Sequence, residues 1–600
     1  MILQMTLYFR PKWSPQSSRR VVVPTMRQNP TAVRGYQERV AELLGATAAV
    51  GEDPSEWGKL QAAVSNALQE FTVMKLPKSS WITEETLEVV VQHRAAKKAF
   101  PKHESTGELK KKMQTMLLLD KLNMFDNAAD EALKAAKKED MGKVFKFANM
   151  CGGKGTVSGA SLDDLTTFSK LQSRSDPVAP PPPGPTTWDA LPLILDDELE
   201  VALMRLKRKR CPGPDGIPAE ALQLLPDSAK KMLYSAVKQF WLTGEVAEEL
   251  KASLIIPLVK KSPSTKPENN RGISLLNSSY KLLESVLLQR LRPIVDPALR
   301  PHQAAYRSAR STNDNVTAAR LILEHRREFQ LSTVVLSFDL KSAFDRIDRQ
   351  WMLHSLRQFH VPEHLVSLVA ALNVNTKSKV RHRSVTSDEF AVDSGVRQGG
   401  LLSPLLFIAT LDRVMRRVMR VLAIFSPDFT DNVYSARDYV QDMEYADDLL
   451  VVCSPDMAQL LSCIMEIELA KVGLRVNPTK SAAMQLGLDR PLDILVSGET
   501  LPIVTSVKFL GTIVDIGCDQ VKEIKHRMAR AKACESRIGK TALYNKRFPP
   551  RSQNAHLLSH HPPDPAVRHL VSGSSRGGQA APRRVRASDS AENVQRVEAG

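Results

Sequence analysis

The sequence predicts an α+β fold divided among several domains. The chain has 600 residues, which is more than a single hydrophobic core usually holds. Hydrophobic residues make up 42% and charged residues 25%, which are the proportions of a globular protein. From about residue 190 onward, helical hydrophobic patterns alternate with short β-branched runs such as Ser253–Val259 and Ser332–Leu340. Together, these observations indicate that helices and strands form the same domains.

The net charge indicates an anionic partner. Lysine and arginine total 83 against 66 aspartate and glutamate residues, which gives a formal charge of +17. Such an excess favours nucleic acid, although a basic protein without that partner explains the charge equally well. The six cysteines form no C-x-x-C pair, so we expect free thiols in a reducing compartment. No apolar run reaches the ~18 residues of a membrane span, and the apolar start is too short for a signal peptide.

Helix and linker signals mark the N-terminal part of the chain. Thr83 is expected to cap a helix that begins at Glu84, because acidic residues fill its first turn and apolar residues follow at helical spacing. Pro177–Thr187 is a stiff proline-rich stretch, which predicts a domain boundary. After Phe548 the chain is rich in Pro, Ser, Gly and Arg, and this composition predicts disorder.

Two adjacent acids interrupt an apolar pattern at Met443–Val452, which reads MEYADDLLVV. Strand patterns flank Asp447 and Asp448, and a tight turn between the strands would place both carboxylates at the tip of a hairpin. Aspartate is also a common turn residue, so the pair alone leaves a purely structural role open.

A third acid stands at the end of a strand pattern. The apolar run that ends at Asp339 has the character of a buried strand, and a helix is expected to begin at Lys341–Ala343. Three converging carboxylates repel one another and are stable together only when cations compensate them. Two Mg²⁺ ions about 3.5–4 Å apart would do so, and such a pair supports nucleotidyl transfer. Asp339, Asp447 and Asp448 therefore predict a two-metal site.

With these acids in place, the sequence resembles the reverse transcriptases of non-LTR (LINE-like) retrotransposons. Ser337–Asp348, Ser394–Asp412 and Glu444–Val452 are similar to motifs A, B and C of the family, in the family's order. Further similar segments are Cys211–Leu222, Ile255–Lys261, Asn269–Leu291 and His302–Val316 upstream, and Ala470–Ser481 and Ser497–Val514 downstream. Each motif alone has low specificity, but nine in order are very specific, and they cover about residues 200–545.

The resemblance implies the catalytic and metal-binding positions. Asp339, Asp447 and Asp448 would bind two Mg²⁺ ions, for which Mn²⁺ could substitute. The carbonyl of Leu340 would be a further metal ligand at the edge of the nucleotide site. Lys480 matches the motif D lysine, which would act as a general acid toward pyrophosphate.

The same resemblance implies the nucleotide contacts. Arg271 would bind the incoming triphosphate through its forked donors, with Lys260 beside it. Phe344 occupies the position of an aromatic steric gate that favours deoxynucleotides. Gln398 and Gly399 match the motif B turn, where a small residue lets the backbone approach the base and sugar.

By residue type alone, several of these positions also have a structural explanation. Phe344 suits a core, Arg271 and Lys480 suit a charged surface, and Gly399 suits an ordinary turn. Three neighbouring residues are expected to cap, solvate or pack rather than react: Asp345, Asp348 and Tyr445.

The resemblance implies a right-hand polymerase fold, with an antiparallel palm sheet that has helices on one face. Ala309 stands where the family often has glycine, and a left-handed conformation there would cost about 1 kcal/mol.

The family's endonuclease and most of its thumb are expected to be missing. The predicted segments are an unassigned start (1–75), a helical N-terminal extension (76–175), a Pro-rich linker (176–190), fingers and palm (191–480), a post-palm segment with the start of a thumb (481–548) and a disordered tail (549–600).

The predicted function is that of an RNA-directed DNA polymerase from a non-LTR retrotransposon. Its partners would be an RNA template, a DNA primer, dNTPs and the retroelement RNA, without a membrane. We expect a ribonucleoprotein in the nucleus or cytoplasm. Two alternatives stay open: an inactive remnant that only binds nucleic acid, and a group II intron-type reverse transcriptase or maturase.

Overall fold

The computed structural model describes residues 30–47, 56–71, 82–99, 103–137, 158–174, 178–182, 193–260, 263–425 and 440–538. The chain divides into two compact units, each of which is described by itself. The first comprises Met1–Leu76 and Gly155–His526, and the second comprises Pro77–Lys154 and Arg527–Gly600. The predicted disordered tail lies outside the described residues.

Seventeen α-helices are numbered here within the described part of the chain. They are α1 (Pro30–Thr47), α2 (Glu56–Phe71), α3 (Glu84–Ala99), α4 (Glu104–Lys137), α5 (Leu162–Gln172), α6 (Asp196–Met204), α7 (Ala219–Gln223), α8 (Asp227–Thr243), α9 (Glu248–Lys251), α10 (Ser278–Ala298), α11 (Thr312–Glu328), α12 (Ala343–Arg346), α13 (Arg349–Gln358), α14 (Glu363–Asn373), α15 (Ser403–Phe425), α16 (Pro455–Lys471) and α17 (Gln520–Ile538). None of these helices is both long and apolar enough to cross a membrane.

The described strands include the two that the sequence predicted at Ser253–Val259 and before Asp339. In chain order they are β1 (Ser253–Val259), β2 (Asn270–Leu276), β3 (Thr333–Asp339), β4 (Thr376–His382), β5 (Val385–Thr386), β6 (Phe390–Val392), β7 (Val440–Tyr445), β8 (Asp448–Cys453), β9 (Ala482–Leu486), β10 (Leu495–Val496), β11 (Glu499–Thr500), β12 (Ser506–Phe509) and β13 (Thr512–Asp515). A short 3₁₀ helix at Pro267–Asn269 precedes β2.

A four-stranded antiparallel sheet positions the acids. Its strand order is β7-β8-β3-β9, so β3 and β8 occupy the centre. The register of this central pair runs from Val334 opposite Cys453 to Asp339 opposite Asp448. Except for Ser337, the residues in the rest of this register are apolar, and the two acids stand together at the end of the strand pair.

Apolar side chains cover both faces of this sheet. On one face, Leu336 and Val451 belong to a core that includes residues of α15 and α16. On the other face, Val335 and Leu450 pack with α11 and with the hairpin formed by β12 and β13. The sequence predicted helices on one face, and α15 and α16 provide them. The second face also carries a helix because successive residues of β3 and β8 are apolar, so that neither face suits water.

A second, five-stranded sheet lies in the same unit. Its order is β2-β1-β4-β5, with β6 paired to β4, and β1 runs antiparallel to β2 but parallel to β4. Helix α5 covers one face, where Leu165 packs with Val380 and Phe390. Residues 158–174 therefore belong to the first unit, although they precede the proline-rich stretch.

Part of the proline-rich stretch lies against the first unit. Residues 178–182 have no regular secondary structure, and the carbonyl oxygen of Ala179 accepts a hydrogen bond from Nε1 of Trp351 at 2.9 Å. The predicted boundary at 176–190 thus does not coincide with the division between the compact units, which falls near residue 155.

Helices α3 and α4 form the described core of the second unit. The backbone N–H of Thr86 donates to Oγ1 of Thr83 at 3.4 Å, which confirms Thr83 as the cap of α3. The backbone N–H of Thr83 in turn donates to Oδ2 of Asp120 on α4 at 2.7 Å. The cap therefore also joins the two helices.

Candidate functional site

The hairpin between β7 and β8 carries two of the predicted acids. Its turn consists of Ala446 and Asp447, and Asp448 is the first residue of β8. Ala446 has a φ of 56°, the left-handed conformation of a tight two-residue turn. Asp448 lies opposite Asp339, the last residue of β3. The structure thus brings together three acids from two distant segments, as the sequence predicted.

Burial and mutual repulsion raise the pKa values of the hairpin acids. Burial first, and then the charges of Asp447 and Asp339, raise the pKa of Asp448 to about 6. Burial also raises the pKa of Asp447, with a smaller contribution from Asp339, while Arg271 and Lys260 oppose the rise. Added positive charge at this end of the sheet would therefore stabilise the ionised carboxylates.

Asp339 is held by the segment that follows α16. Its Oδ2 accepts a hydrogen bond from Nδ2 of Asn477 at 3.2 Å and lies 3.6 Å from Nζ of Lys480. The backbone N–H of Asp339 donates to Oγ of Ser481 at 3.1 Å, and its backbone oxygen accepts from the N–H of Asn477 at 2.7 Å. These contacts orient the carboxylate and place the predicted motif D lysine beside it.

One cavity of about 790 Å³ connects the predicted positions. Nine of the ten predicted site residues line it: Lys260, Arg271, Asp339, Leu340, Phe344, Gln398, Gly399, Asp447 and Lys480. The tenth, Asp448, stands beside Asp447 in the hairpin and does not line the cavity. Cations from the five-stranded sheet and carboxylates from the four-stranded sheet therefore face the same space, as a triphosphate with its metal ions would require.

The donor chemistry of the three acids fits divalent cations. Carboxylate oxygens are hard ligands of the kind that Mg²⁺ and Mn²⁺ take, and a bound cation would relieve the repulsion between Asp447 and Asp448. Among the described residues, no group of three or more His, Cys, Asp or Glu side chains is arranged to hold a metal ion. At Mg²⁺ sites, one or two protein carboxylates commonly bind the ion together with substrate phosphates.

Phe344 belongs to both the cavity wall and the core. Its ring stacks on the buried ring of Phe407, with centroids 4.3 Å apart and an interplanar angle of 15°. It also lines the cavity beside Leu340. The core interpretation and the steric-gate interpretation of this residue are therefore compatible, because one face of the ring packs on Phe407 while the residue still lines the cavity.

Gly399 stands where two chain segments nearly touch. Its φ is 143°, and a Cβ atom there would lie 2.3 Å from the carbonyl oxygen of Ser274 on β2. The N–H of Ser274 also donates to the carbonyl oxygen of Gln398 at 2.8 Å. A side chain at Gly399 would force the segments apart, so this glycine is required for close approach rather than for an ordinary turn.

Asp345 and Gln398 form a pair that the sequence did not predict. Nε2 of Gln398 donates to Oδ2 of Asp345 at 2.8 Å, and burial raises the pKa of Asp345 to about 7. Asp345 was expected to cap or solvate a helix, and its side chain instead holds the amide of Gln398, a predicted nucleotide contact.

Asp348 does cap α13, because its Oδ1 accepts a hydrogen bond from the N–H of Trp351 at 2.9 Å. Tyr445 packs against the core as predicted.

Helix α5 contributes an unpredicted wall of the cavity. Phe168, Leu171 and Gln172 line it, and Nε2 of Gln172 donates to Oγ of Ser342 at 2.7 Å. Ser342 has a φ of 48°, so the bond supports a strained residue directly after the motif A strand. No local pattern near residues 162–172 indicates this role, because the partner lies 170 positions away.

Ala309, which stands where similar sequences often have glycine, adopts the left-handed backbone conformation that glycine favours. Its φ is 57°, and the nearby Tyr306 has a φ of 60°. Each non-glycine residue in this region costs of order 1 kcal/mol, so the loop before α11 depends on its surroundings for its shape.

Comparisons with known proteins agree with this geometry. Residues 259–514 match the family model described as reverse transcriptase (RNA-dependent DNA polymerase). The chain is 26% identical over 345 residues to the transposon TX1 uncharacterized 149 kDa protein of Xenopus laevis, which covers 55% of this chain and 26% of that protein. It is 24% identical over 339 residues to the RNA-directed DNA polymerase from mobile element jockey of Drosophila funebris. That match covers 53% of this chain and 35% of that protein.

The relatives are longer than the part that this chain matches. The chain spans about a quarter of the TX1 protein and about a third of the jockey protein. Among solved structures, apo telomerase from Candida tropicalis has a TM-score of 0.34 at 11% identity, covering 56% of this chain and 62% of that one. Residues 259–514 thus form a domain that is similar to reverse transcriptases, including the RNA-directed DNA polymerase of a mobile element.

Proposed function

We propose that this chain is an RNA-directed DNA polymerase that adds deoxynucleotides to a DNA 3′-hydroxyl on an RNA template. The observation that carries the proposal is the pairing of Asp339 with Asp448, with Asp447 in the adjoining turn. Asp339 and Asp447 line a cavity whose wall also includes Arg271 and Lys260. Carboxylates and cations in the wall of one cavity suit a metal-bound triphosphate.

Two Mg²⁺ ions would be held by Asp339, Asp447, Asp448 and the carbonyl of Leu340, and Mn²⁺ could replace them. When bound, such ions activate the 3′-hydroxyl and stabilise the charge on the leaving pyrophosphate. The raised pKa values of Asp447 and Asp448 support this assignment, because the ionised pair is costly without a compensating charge.

The chain's other residues bind and orient the nucleotide. Arg271 and Lys260 neutralise the triphosphate, and Arg271 does so through two parallel donors. Gln398 and Gly399 contact the base and sugar, and the Asp345 carboxylate holds the amide of Gln398. Lys480, whose Nζ lies 3.6 Å from Oδ2 of Asp339, would donate a proton to pyrophosphate.

Phe344 would exclude ribonucleotides. Its ring lines the cavity beside Leu340 and is held by Phe407, so it cannot swing away from a sugar bound there. A 2′-hydroxyl would meet this ring, whereas a deoxyribose would not. The polymerase therefore makes DNA rather than RNA.

The natural partners would be an RNA template, a DNA primer and the RNA of a retroelement. The formal charge of +17 supports binding to these polyanions. Such a complex would reside in the nucleus or cytoplasm as a ribonucleoprotein.

Primer extension by the purified chain tests the proposal. The assay contains an RNA template, a DNA primer, dNTPs and Mg²⁺, with EDTA and Asp447→Asn as controls. Extension that both controls abolish is the expected result. A chain that binds RNA but never extends the primer would be an inactive remnant, and the proposal would be wrong.

A further inference from the structure

A buried segment runs along the outer side of the acid-bearing hairpin. His302–Ala305 forms a parallel bridge with β7, in which Gln303 pairs with Glu444. The N–H of Glu444 donates to the carbonyl oxygen of His302 at 3.2 Å, and the N–H of Ala304 donates to the carbonyl oxygen of Glu444 at 3.0 Å. This segment therefore supports the hairpin from the side opposite β8.

The side chain of Gln303 reaches the turn itself. Its Oε1 accepts hydrogen bonds from the N–H of Ala446 at 3.1 Å and from the N–H of Ala305 at 3.0 Å. Its Nε2 donates to Oε2 of Glu444 at 3.2 Å. Gln303 is 0% exposed, so both ends of the carboxamide are engaged where no water can replace these bonds.

The turn needs such support because Ala446 is strained. With a φ of 56° and a side chain, it costs of order 1 kcal/mol more than a relaxed residue. Asp447 and Asp448 follow it directly, so any relaxation of the turn would move both carboxylates. A displacement of about 1 Å at a catalytic group can cost about 100-fold in rate.

An ionic network fixes the other end of the carboxamide. Oε1 of Glu444 accepts from Nη1 of Arg300 at 3.0 Å, and Nη2 of Arg300 lies 2.7 Å from Oδ1 of Asp442. The backbone N–H of Arg300 donates to Oδ1 of Asp412 on α15 at 2.8 Å. Since Arg300, Asp442 and Glu444 are at most 4% exposed, Glu444 offers Gln303 a rigid partner.

We propose that Gln303 is a positioning residue, which holds the Ala446 turn so that Asp447 and Asp448 meet Asp339 in the geometry that metal binding requires. The inference rests on the proposed polymerase function. Gln303 lies outside the cavity wall and touches no substrate, so its effect passes through the backbone of the hairpin.

The test compares Gln303→Ala with the matched control Gln223→Ala. Gln223 on α7 is also a buried glutamine, and its Nε2 donates to the carbonyl oxygens of Leu203 and Leu206 at 3.0 and 3.1 Å. Both variants should lose thermal stability. Only Gln303→Ala should lower kcat by about 10- to 100-fold and raise the Mg²⁺ concentration for half-maximal rate, with the KM for dNTP and the Kd for primer–template changed less than twofold.

An exchange variant keeps the test decisive if Gln303→Ala does not fold. Gln303→Glu combined with Glu444→Gln reverses donor and acceptor between the two side chains, and it leaves an acceptor for the N–H of Ala446 and for Arg300. This variant should retain kcat within about threefold, whereas Gln303→Glu alone should not.

The outcomes separate this inference from the proposed function. A wild-type chain without primer extension would overturn the proposed function itself. If the wild type extends primers and Gln303→Ala matches Gln223→Ala in kcat and in Mg²⁺ dependence, Gln303 is only structural and the positioning role is wrong. An exchange variant as slow as Gln303→Glu would also overturn it.

Discussion

At the scale of single residues, buried carboxylates brace the loop that carries Gln398 and Gly399. Oε2 of Glu284 on α10 accepts from the N–H of Leu401 at 2.7 Å, just before α15 begins. Burial raises the pKa of Glu284 to about 7, although Arg397 and Lys281 oppose the rise. A protonated Glu284 is therefore the lower-energy form in the folded chain at mildly acidic pH.

The raised pKa of Glu284 predicts a pH-dependent loss of stability. A carboxyl whose folded pKa lies above its unfolded value stabilises the fold below the unfolded value, and it loses that advantage as pH rises toward the folded value. Between pH 4.5 and pH 7 the loss amounts to about 3 kcal/mol. Glu284→Gln cannot ionise, so it should gain about that much relative to wild type between pH 5 and pH 8 in urea unfolding. A difference independent of pH would contradict the assignment.

Phe344 should affect both sugar selection and stability. Phe344→Ala removes a half-buried ring from Phe407 and should lower the free energy of unfolding by about 2 kcal/mol. It should also raise the incorporation of rNTPs relative to dNTPs, measured as the ratio of kcat/KM values. The control Phe359→Leu, at a buried core ring that does not line the cavity, should lower stability and leave that ratio nearly unchanged. Equal ratios in all three chains would show that Phe344 is only a core residue.

The residues that sequence analysis missed share a physical reason. Gln303, Asp345 and Gln172 form hydrogen bonds with groups 143, 53 and 170 positions away, respectively. Hydrophobic periodicity and motif spacing report local structure, so they cannot show which distant group a glutamine meets. The acids at 339, 447 and 448 were predictable because charge inside an apolar strand pattern is itself a local anomaly.

At the scale of elements, one arginine joins four segments around the cavity. Arg349 at the start of α13 donates from Nη1 to the carbonyl oxygens of Asn373 at 2.5 Å and Val392 at 2.8 Å. Its Nε donates to the carbonyl oxygen of Gly395 at 3.0 Å, and its Nη2 donates to that of Ser394 at 3.2 Å. The motif B loop, β6 and the end of α14 are thus held to the helix after motif A.

Arg349→Lys should be destabilising although it preserves the charge. An ammonium group cannot reach acceptors that a planar guanidinium meets along several directions, and buried carbonyl oxygens would lose their donors. We expect a loss of about 3 kcal/mol in the free energy of unfolding. The control Arg381→Lys on β4 is exposed and should change it by less than about 0.5 kcal/mol. Similar losses in the two variants would contradict this account.

The positions of the strands were more predictable than the elements that pack on them. The run that ends at Asp339 and the hairpin at 440–453 lie where the alternation of apolar and turn residues placed them. The packing of α11 and of β12–β13 on the second face of the sheet was not predictable, because an apolar strand residue does not specify what covers it. For the same reason, the packing of α5 was not predictable. Its apolar residues pack on a sheet that begins about 80 positions later.

At the scale of the whole molecule, net charge should dominate nucleic-acid affinity. The formal charge of +17 implies that binding releases counterions, so affinity for single-stranded RNA should fall steeply with salt. Between 50 and 200 mM KCl, we expect the Kd measured by fluorescence anisotropy to rise by at least ~100-fold. Asp447→Asn should show the same slope, because it changes the metal site and not the basic surface. An affinity insensitive to salt would contradict a phosphate-based interaction.

The central claim is that Asp339, Asp447 and Asp448 form one two-metal site, and counting bound metal tests it most directly. The measurement is electron paramagnetic resonance of Mn²⁺ bound to the chain with RNA template, a dideoxy-terminated DNA primer and the matching dNTP, so that no reaction occurs. The account predicts two tightly bound Mn²⁺ ions per chain in the wild type and at most one in Asp447→Asn. Two ions in both proteins, or none in the wild type, would contradict it.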